Sequence, residues 1–592
     1  MCGIVGYIGR SPAQPILLSA LESLEYRGYD SCGIAVREGG SIAIYKDAVR
    51  VGRLRESAPP IQGTMGIGHT RWATHGVPSL KNAHPHTDCR GRFAVVHNGI
   101  ITNFHALREQ LIREGHRFLS ETDSEVIPHL IETLDRGDLA GAVSGALERI
   151  EGSYAIVVLS ADEEKLVAAR KDSPLVIGVG DGEMFVASDV PAILGYTDRV
   201  IYLEDRDIAE ITADGVRIVW EGKEIRRAEH RVTWTMEDVQ KAGYEHFMLK
   251  EIHEQPRIVR ELLGTHWGRE ADDSVFRWPR IETVTIVGCG TSYHAGLIGK
   301  YLIEELLGIP VSVDLASELN HGRRTIPPSL AIAITQSGET ADVLAALRRF
   351  RDMAVRTLSI TNVPGSSASR LAEETIYLHA GPEVSVAATK SFVAQLVALY
   401  QFAIARARIP LSARENLMSE LRQMPEKVEQ ILADEERIAE CAAFLAGYED
   451  AFFIARGINY PVALEGALKL KEISYIHAEG YAGGELKHGS IALLDERTPV
   501  IAIAPRDPTY DAMVSNIKQA KARNAPVIAV TDAENDQMEA LSDRVIRVPR
   551  THVLCTPLLN AVALQLLAYH AARVRGCPID FPRNLAKSVT VE

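Results

Sequence analysis

The sequence has no long apolar run and few cysteines for its length. No uninterrupted stretch of about 18 apolar residues occurs, and the N-terminus, MCGIVGYIGR, has no basic leader followed by an apolar segment. We therefore expect a protein that is neither exported nor membrane-spanning. The 592 residues include seven cysteines, an odd number with no CxxC pair, which argues against a disulfide framework or a zinc ribbon. The expected compartment is the reducing cytoplasm.

Positive charge is also scarce. The formal net charge is -14, and no basic patch is evident that would attract a phosphodiester backbone, so we expect no nucleic-acid partner. A composition of 46% apolar and 24% charged residues is typical of a globular protein. The length allows three or four domains.

The first part of the chain, residues 1–222, is dense in short β-type runs such as CGIVGYI, FAVVHNGII and YAIVVLS. Helical patterns interrupt them at about 12–24, 103–115 and 123–150. Because strands mostly follow strands, this pattern predicts an antiparallel α+β domain. Residues 223–250 are charged and weakly periodic, which is typical of a connector running into a helix.

The pattern changes from about residue 281, where apolar strands alternate with long helical segments. This alternation predicts parallel sheets with crossover helices. It occurs twice, with VTIVGCG and AFFIARG as the opening strands, and therefore indicates a repeated domain. The predicted divisions are two α/β domains at 251–411 and 448–582, a helical connector at 412–447 and a tail at 583–592.

Cys2 is a candidate nucleophile because removal of Met1 would leave a thiol and a free α-amine on one residue. The amine, with a pKa near 8, could take the thiol proton without a separate histidine. Taken alone, however, a cysteine at this position is better explained as a small apolar residue.

The surrounding motifs change that interpretation. CGIVGYI is followed by LEYRGYDSCGIAV, GHTRWATHG, NAHPH, HNGIITN and SETDSEV. These segments resemble the class-II glutamine amidotransferase family, whose N-terminal-nucleophile domain, of αββα architecture, hydrolyses glutamine. The resemblance implies that Cys2 attacks the glutamine side-chain amide.

The same resemblance assigns roles to other residues. Asn98 and the Gly99 backbone N–H would stabilise the oxyanion. Arg71 and Asp123 would bind the α-carboxylate and α-ammonium groups of glutamine. Without the resemblance, Asn98 and Asp123 would be ordinary turn or cap residues. The remaining pocket residues are Trp72, which could also act as a lid or gate, Thr74 and His75.

A metal site is an alternative use of the histidines in this region. His84, His86, Asp88 and His97 place two histidines at i and i+2 near a carboxylate. No further ligand shows the spacing of a known motif. Hydrogen bonds that fix loops are the better interpretation, and we expect no metal.

Two segments in the second half, GCGTS at 288–292 and TQSGET at 335–340, each follow an apolar strand and open a helix. Backbone N–H groups and hydroxyls there suit a phosphate monoester, although helix capping would explain either segment alone. Tyr293 stands where the dinucleotide fingerprint needs glycine, and no P-loop occurs. The two segments resemble the sugar isomerase family of phosphosugar-binding domains, and RGINYPVALEGALKLKE and GYAGGELKHGS indicate a second copy.

Together, the two halves resemble amidotransferases that make an amino-sugar phosphate from glutamine and fructose 6-phosphate, with no cofactor. The resemblance implies that Lys587 forms a Schiff base with the sugar C2 carbonyl, that His488 opens the ring, and that Glu472 moves a proton from C1 to C2. It also implies a homodimer in which the neighbouring chain contributes His488, and a closed passage for ammonia. The implied sugar-phosphate contacts are Ser292, Thr335, Gln336, Ser337 and Thr340.

Two positions depart from the family pattern. Thr335 and Ala388 replace serines, which puts a contact from Ala388 in doubt.

Two other functions fit the motifs less well. Amidotransferases acting on phosphoribosyl pyrophosphate, or activating aspartate with ATP, would need motifs that this chain lacks. A phosphosugar sensor without catalysis would not need Glu472, His488 and Lys587 together.

Overall fold

The computed structural model describes residues 2–590 except 74, 233, 235–237, 239, 265–280, 323–326 and 533–535. The chain forms two compact units. The N-terminal unit comprises Met1–Val239, Glu339–Ala341 and Ala586–Glu592, and the C-terminal unit comprises Gln240–Gly338 and Asp342–Leu585.

The N-terminal unit contains two antiparallel sheets. In the described residues, the first sheet has the strand order β15-β11-β9-β10-β1-β4-β2-β3 and the second β14-β13-β12-β8-β7-β6-β5. The strands are β1 (Gly3–Ile8), β2 (Ser31–Glu38), β3 (Ser41–Asp47), β4 (Met65–Arg71), β5 (His86–Thr87), β6 (Phe93–Ile101), β7 (Gly152–Ser160), β8 (Leu166–Lys171), β9 (Val176–Val179), β10 (Met184–Ala187), β11 (Arg199–Tyr202), β12 (Asp207–Thr212), β13 (Gly215–Trp220), β14 (Lys223–Ile225) and β15 (Glu229–Arg231).

Helices cover both outer faces of this pair of sheets. Ile4 and Ile67 of the first sheet share one buried cluster with Val96 and Val157 of the second, so the sheets pack face to face. The α+β, αββα prediction is confirmed. The helices are α1 (Ala13–Glu22) and α2 (Val51–Ser57) beside the first sheet, and α3 (Phe104–Arg113), α4 (Val126–Leu134) and α5 (Leu139–Leu147) beside the second.

The single helix predicted over 123–150 is wrong, because α4 and α5 are separate helices. The chain turns between them at Gly137, whose φ of 85° is a conformation that glycine adopts without strain. Asp135 stabilises the turn by accepting a hydrogen bond from the Gly137 N–H at 2.9 Å.

The C-terminal unit contains two five-stranded parallel sheets. Their strand orders in the described residues, β17-β16-β18-β19-β20 and β22-β21-β23-β24-β25, follow one pattern, which confirms the predicted repeat of two α/β domains. The strands are β16 (Val284–Gly288), β17 (Val311–Leu315), β18 (Leu330–Thr335), β19 (Thr357–Thr361), β20 (Glu374–Tyr377), β21 (Asp450–Ala455), β22 (His477–Ala482), β23 (Val500–Ile503), β24 (Val527–Thr531) and β25 (Arg544–Arg547).

Buried helices join the two halves of this unit into one apolar core. The helices of the whole unit are α6 (Phe247–His253), α7 (Gln255–Gly264), α8 (Thr291–Leu307), α9 (Ala316–His321), α10 (Ala341–Asp352), α11 (Ser367–Leu371), α12 (Lys390–Ala405), α13 (Leu411–Arg422), α14 (Met424–Ala433), α15 (Glu435–Leu445), α16 (Tyr460–Ser474), α17 (Tyr510–Lys521), α18 (Asp536–Leu541) and α19 (Thr556–Val574). The buried helices that join the two halves include α8, α12, α16 and α19.

One segment, Val553–Val574, is long and apolar enough to cross a membrane. Its most apolar part is 89% buried inside the protein. The segment includes α19, which packs against α15 and α16, so its apolar character is explained by its place in the core.

Candidate active site

Cys2 immediately precedes β1, which brings the thiol to the edge of the first sheet. The Trp72 N–H donates a hydrogen bond to the Cys2 Sγ at 3.2 Å. Burial raises the pKa of the Cys2 thiol, while the Trp72 amide and the charges of Arg71 and Arg27 partly oppose this effect. Burial therefore favours the protonated thiol, and a nearby base is needed to form the nucleophile.

Asn98, on β6 of the second sheet, lies beside Cys2. Its side-chain nitrogen donates to the Cys2 carbonyl oxygen at 2.9 Å. His69 Nε2 lies 3.1 Å from both the Asn98 Oδ1 and the His97 carbonyl oxygen. Since both partners are acceptors, Nε2 carries the proton of this imidazole, and the hydrogen bond holds the Asn98 nitrogen toward Cys2.

Gly99 follows Asn98 with a φ of 133°. A Cβ atom there would lie 2.1 Å from the Ser153 carbonyl oxygen. The position therefore excludes every residue larger than glycine.

Arg71 ends β4, and burial lowers the pKa of its guanidinium group, whereas Asp123 and the ionised form of Cys2 raise it. Its Nη2 donates to the carbonyl oxygens of His75 and Gly76, while Nη1 is buried and has no hydrogen-bond partner among the described residues. Asp123 accepts a 2.8 Å hydrogen bond from the Ile101 N–H. A buried cationic donor and a carboxylate are thus held by the backbone near the nucleophile.

The loop after β4 carries the other predicted pocket residues. Trp72 packs edge-on against Tyr29, with ring centroids 5.7 Å apart, and Asp30 accepts a hydrogen bond from the Ala73 N–H at 2.9 Å. The His75 ring packs edge-on against Phe104. Thr74 lies outside the described residues.

Several residues beside Cys2 were not identified from the sequence. Arg27 donates to the Cys2 carbonyl oxygen at 3.2 Å and to Asp189 at 3.0 Å. Tyr26 donates to the same Asp189 oxygen at 2.5 Å. Tyr26 and Arg27 lie within the quoted LEYRGYD motif, which was the available signal, whereas nothing in the sequence around Asp189 marked it.

The histidines that suggested a metal site are buried and hydrogen-bonded. His84 Nδ1 accepts from the His97 N–H at 3.3 Å, and His97 Nδ1 lies 2.8 Å from the Ser124 hydroxyl oxygen. His86 Nε2 lies 3.0 Å from the Thr122 hydroxyl oxygen. Burial lowers the pKa of each of these imidazoles, which favours their neutral forms. His86 and His97 connect β5 and β6 to the 119–125 loop.

In the C-terminal unit, the first predicted phosphate loop joins β16 to α8. Gly290, at the start of α8, has a φ of 52°. Ser292 is buried in the first turn of α8, where the Gln395 amide donates to its hydroxyl at 3.0 Å. The loop therefore has the predicted strand–turn–helix form.

The second predicted loop follows β18. The Gly338 N–H donates to the Thr335 hydroxyl at 3.3 Å, and the Gln336 carbonyl oxygen accepts from the Asn362 N–H at 3.0 Å. Ser337 lies between them in the same turn. A Cβ on Gly338 would lie 2.1 Å from the Ser366 hydroxyl oxygen, so only glycine fits this turn.

Thr340 and Lys587 belong to the short segments that are grouped with the N-terminal unit. The Ala341 N–H, next to Thr340, donates to the Val589 carbonyl oxygen at 3.0 Å. Lys587 is half-buried, and Ser588 beside it is buried. The tail that carries Lys587 is thus ordered by the backbone next to Thr340.

Glu472 lies on α16 in a row of alternating charges. Its carboxylate is 2.6 Å from Lys469 Nζ, and Lys469 is also 3.6 Å from Glu465. Burial alone would lower the pKa of Lys469, but Glu472 and Glu465 raise it, so this lysine stays charged. His488 lies apart from this row, exposed in a short turn, Glu485–His488.

Known protein families match the N-terminal and C-terminal parts of the chain separately. The sequence matches a glutamine amidotransferase domain over 69–195 and an SIS domain over 280–405 and 445–575. It is 51% identical over 619 aligned residues to glutamine–fructose-6-phosphate aminotransferase (isomerizing) of Methanosarcina acetivorans, and 49% identical over 611 to that of Caldanaerobacter subterraneus, with complete coverage of each chain.

The chain belongs to the glutamine–fructose-6-phosphate aminotransferase (isomerizing) family. A solved structure, the C-terminal domain of glucosamine-fructose-6-phosphate aminotransferase from Francisella tularensis, covers 58% of this chain and 100% of its own, with 36% identity and a TM-score of 0.55. This aminotransferase family therefore accounts for the full length of the chain and confirms the expected family resemblance.

Proposed function

We propose that Cys2, exposed by removal of Met1, is the nucleophile that releases ammonia from glutamine. As a member of its family, the chain is an enzyme that converts glutamine and fructose 6-phosphate into glutamate and glucosamine 6-phosphate. The observation that carries the assignment of Cys2 is the side-chain nitrogen of Asn98, fixed 2.9 Å from the Cys2 carbonyl oxygen.

The thiol needs a base because burial raises its pKa. In our proposal the Cys2 α-amine takes the proton as sulfur attacks the glutamine amide carbon. The C–N bond breaks, ammonia leaves, and water hydrolyses the thioester to glutamate. One hydrogen of the Asn98 amide donates to Cys2, and the second would stabilise the oxyanion together with the Gly99 N–H.

Arg71 and Asp123 bind the amino-acid end of glutamine in this proposal. Within the part of the chain that the structure describes, the buried Nη1 of Arg71 has no hydrogen-bond partner. A buried polar group of this kind costs about 1–3 kcal/mol when it stays unpaired. A substrate carboxylate would satisfy it with a charge-assisted hydrogen bond. Trp72, Thr74 and His75 would close the pocket.

The sugar site of the proposal uses both phosphate loops. Ser292, Thr335, Gln336, Ser337 and Thr340 would bind the phosphate and hydroxyl groups, which the strand–turn–helix form of the loops supports. His488 would open the ring, and the Lys587 amine would then form an imine with C2, releasing water. Ammonia, kept from solvent, would displace Lys587.

Glu472 would complete the reaction by moving a proton from C1 to C2. This transfer converts the C2 imine into an amine and the C1 alcohol into an aldehyde. Lys469, 2.6 Å from Glu472, would hold the carboxylate in place for this transfer.

Assembly, compartment and domain limits are also proposals. The exposure of His488 is consistent with its entering a neighbouring chain's sugar site in a homodimer. All seven cysteines are free, which suits the cytoplasm. We propose the domains 1–222, 251–411 and 448–582, with connectors at 223–250 and 412–447 and a tail at 583–592; within the first connector the structure has β14, β15 and the start of α6.

The direct test follows nitrogen through the full-length enzyme. The enzyme is given fructose 6-phosphate and glutamine labelled with ¹⁵N in the side-chain amide, in a buffer that contains unlabelled ammonium. We expect the glucosamine 6-phosphate formed to carry the label. Unlabelled product would contradict ammonia transfer without release into the solvent, and absence of product would contradict the reaction.

A further inference from the structure

Four side chains outside the proposed glutaminase pocket converge on one point of the N-terminal unit. They are Cys89 in the turn after β5, His116 after the end of α3, and His129 and Glu132, one turn apart on α4. One ligand atom from each lies within 4.8 Å of every other. The chain thus brings three separate segments together through these four atoms.

The distances between these ligand atoms are those of a small coordination shell. The Nδ1 atoms of His116 and His129 are 3.3 Å apart, and Cys89 Sγ lies 3.7 and 3.6 Å from them. Glu132 Oε2 is 3.2 Å from His116 Nδ1 and 3.9 Å from His129 Nδ1.

These values match a tetrahedron around zinc. With Zn–N near 2.0–2.1 Å and Zn–S near 2.3 Å, tetrahedral geometry requires N···N edges of about 3.3 Å and N···S edges of about 3.6 Å. The 3.9 Å edge from Glu132 to His129 exceeds the required length by about half an ångström.

The ligand set also suits zinc by type and charge. A thiolate and a carboxylate carry two negative charges, and two neutral imidazoles add none, so the set would balance a divalent cation. Mixed sulfur and nitrogen ligands favour zinc over magnesium or calcium.

Surrounding groups orient the ligands from outside. The Arg117 N–H donates to Cys89 Sγ at 3.3 Å, which orients the sulfur. The second nitrogen of His116, Nε2, lies 3.1 Å from the Thr133 hydroxyl oxygen. Arg90 lies 3.3 Å from the outer oxygen of Glu132, leaving the inner oxygen for the cluster. Such outer contacts fix the ring orientation of metal-bound histidines.

We propose that Cys89, His116, His129 and Glu132 form a structural zinc site. Four protein ligands leave no open position, so the site would stabilise rather than catalyse. It would fix α3, α4 and the β5 turn to one another. This inference does not depend on the proposed roles of the catalytic residues.

The test is metal binding by the full-length protein. After chelation and desalting, zinc is titrated against a chromophoric chelator, and cobalt absorption is recorded separately. We expect the wild type to bind one zinc ion per chain. Cys89→Ser and His116→Gln should bind zinc with an affinity at least about 100-fold weaker. Cobalt in the wild-type chain should give intense tetrahedral bands and a thiolate charge-transfer band, and zinc should raise the unfolding temperature.

His105→Gln is the matched control, since His105 is exposed on α3 outside the cluster. It should keep the wild-type zinc content and affinity. Equal zinc binding by Cys89→Ser, His116→Gln and the wild type would overturn the proposal. If the variants do not fold, the wild-type cobalt spectrum decides, because octahedral bands without thiolate charge transfer would also overturn it.

Discussion

His69 Nε2 lies 3.1 Å from the side-chain oxygen of Asn98, and this contact directs the Asn98 nitrogen toward Cys2. We expect His69→Ala to lower kcat for glutamine hydrolysis by about 10- to 100-fold, less than the loss of an entire oxyanion donor. KM should change little because Arg71 and Asp123 remain. Steady-state glutaminase kinetics measure the effect.

His69→Gln is the conservative comparison, since its amide can still donate to Asn98 and should recover part of the rate. His105→Ala should match the wild type. Equal losses in His69→Ala and His69→Gln would show that the imidazole acts in some way other than holding Asn98.

The buried histidines predict a loss of stability in acid. Burial lowers the pKa of His69 to about 3, whereas the unfolded value is near 6.5. Below 6.5 the unfolded state binds a proton that the folded state does not, so stability falls as the pH falls. His69 alone should cost about 2 kcal/mol between pH 7.5 and pH 5.

Native-state hydrogen exchange of β6 at the two pH values measures this cost. The loss on acidification should be about 2 kcal/mol smaller in His69→Gln than in the wild type. The same acid sensitivity in both proteins would rule out His69 as a source.

Gly99 predicts a large effect of adding one methyl group. In Gly99→Ala the new Cβ would lie 2.1 Å from the Ser153 carbonyl oxygen, so β6 and β7 must separate. We expect a loss of several kcal/mol in unfolding free energy and of glutaminase activity. Thermal unfolding and activity are the measurements.

Gly222→Ala provides the control, because Gly222 also has a positive φ, 76°, but open space around it. It should cost only about 1 kcal/mol, the strain of the backbone alone. A similar cost at both positions would exclude the steric explanation.

Local sequence pattern predicted most of the fold, but it missed β4, which lies at the centre of the first sheet. The segment contains Gly66 and Gly68, and glycine disfavours strands. A Cβ on Gly66 would lie 2.6 Å from the Ala35 carbonyl oxygen, and one on Gly68 would lie 2.8 Å from the Leu21 side chain. Close packing in the folded protein therefore requires these glycines, and local propensity cannot reveal that requirement.

The same limit applies to the candidate sites, because residues close together in the sequence form a recognisable motif and residues far apart do not. Arg71, Asn98 and Asp123 lie in contiguous motifs that resemblance could identify. The donors of the proposed zinc site are spread over 44 residues, from 89 to 132, with no motif spacing. Only the folded chain brings them together. The sequence alone suggested His84 and His86 as candidate metal ligands, because these two histidines are close together in the chain.

Lys469 predicts how Glu472 depends on a neighbouring cation. In Lys469→Met, Glu472 would lose the ammonium 2.6 Å away, and with it the charge-assisted contact that holds the carboxylate in place. We expect synthase kcat to fall by about 10- to 100-fold. Glutamine hydrolysis, assayed alone, should persist.

The exposed Lys471 on the same helix gives the control variant, Lys471→Met, which should leave the synthase rate unchanged. An unchanged synthase kcat in Lys469→Met would exclude a role for Lys469 in holding Glu472. Unfolding temperature should be followed as well, since leaving buried carboxylates unpaired costs about 3–5 kcal/mol.

Cys2 and Lys587 predict opposite defects in the two half-reactions. Cys2→Ala should lose glutamine hydrolysis by at least about 10³-fold but still bind fructose 6-phosphate. Lys587→Ala should lose glucosamine 6-phosphate formation to a similar extent and retain glutamine hydrolysis, because no other amine is proposed to form the imine.

Cys577→Ala and Lys521→Ala, outside both sites, should behave as the wild type. Borohydride reduction with fructose 6-phosphate should attach the sugar to Lys587 in the wild type and in Cys2→Ala, and mass spectrometry of the peptide locates it. Glutamine-dependent product from Cys2→Ala, or sugar attached elsewhere than Lys587, would contradict the proposed division of roles.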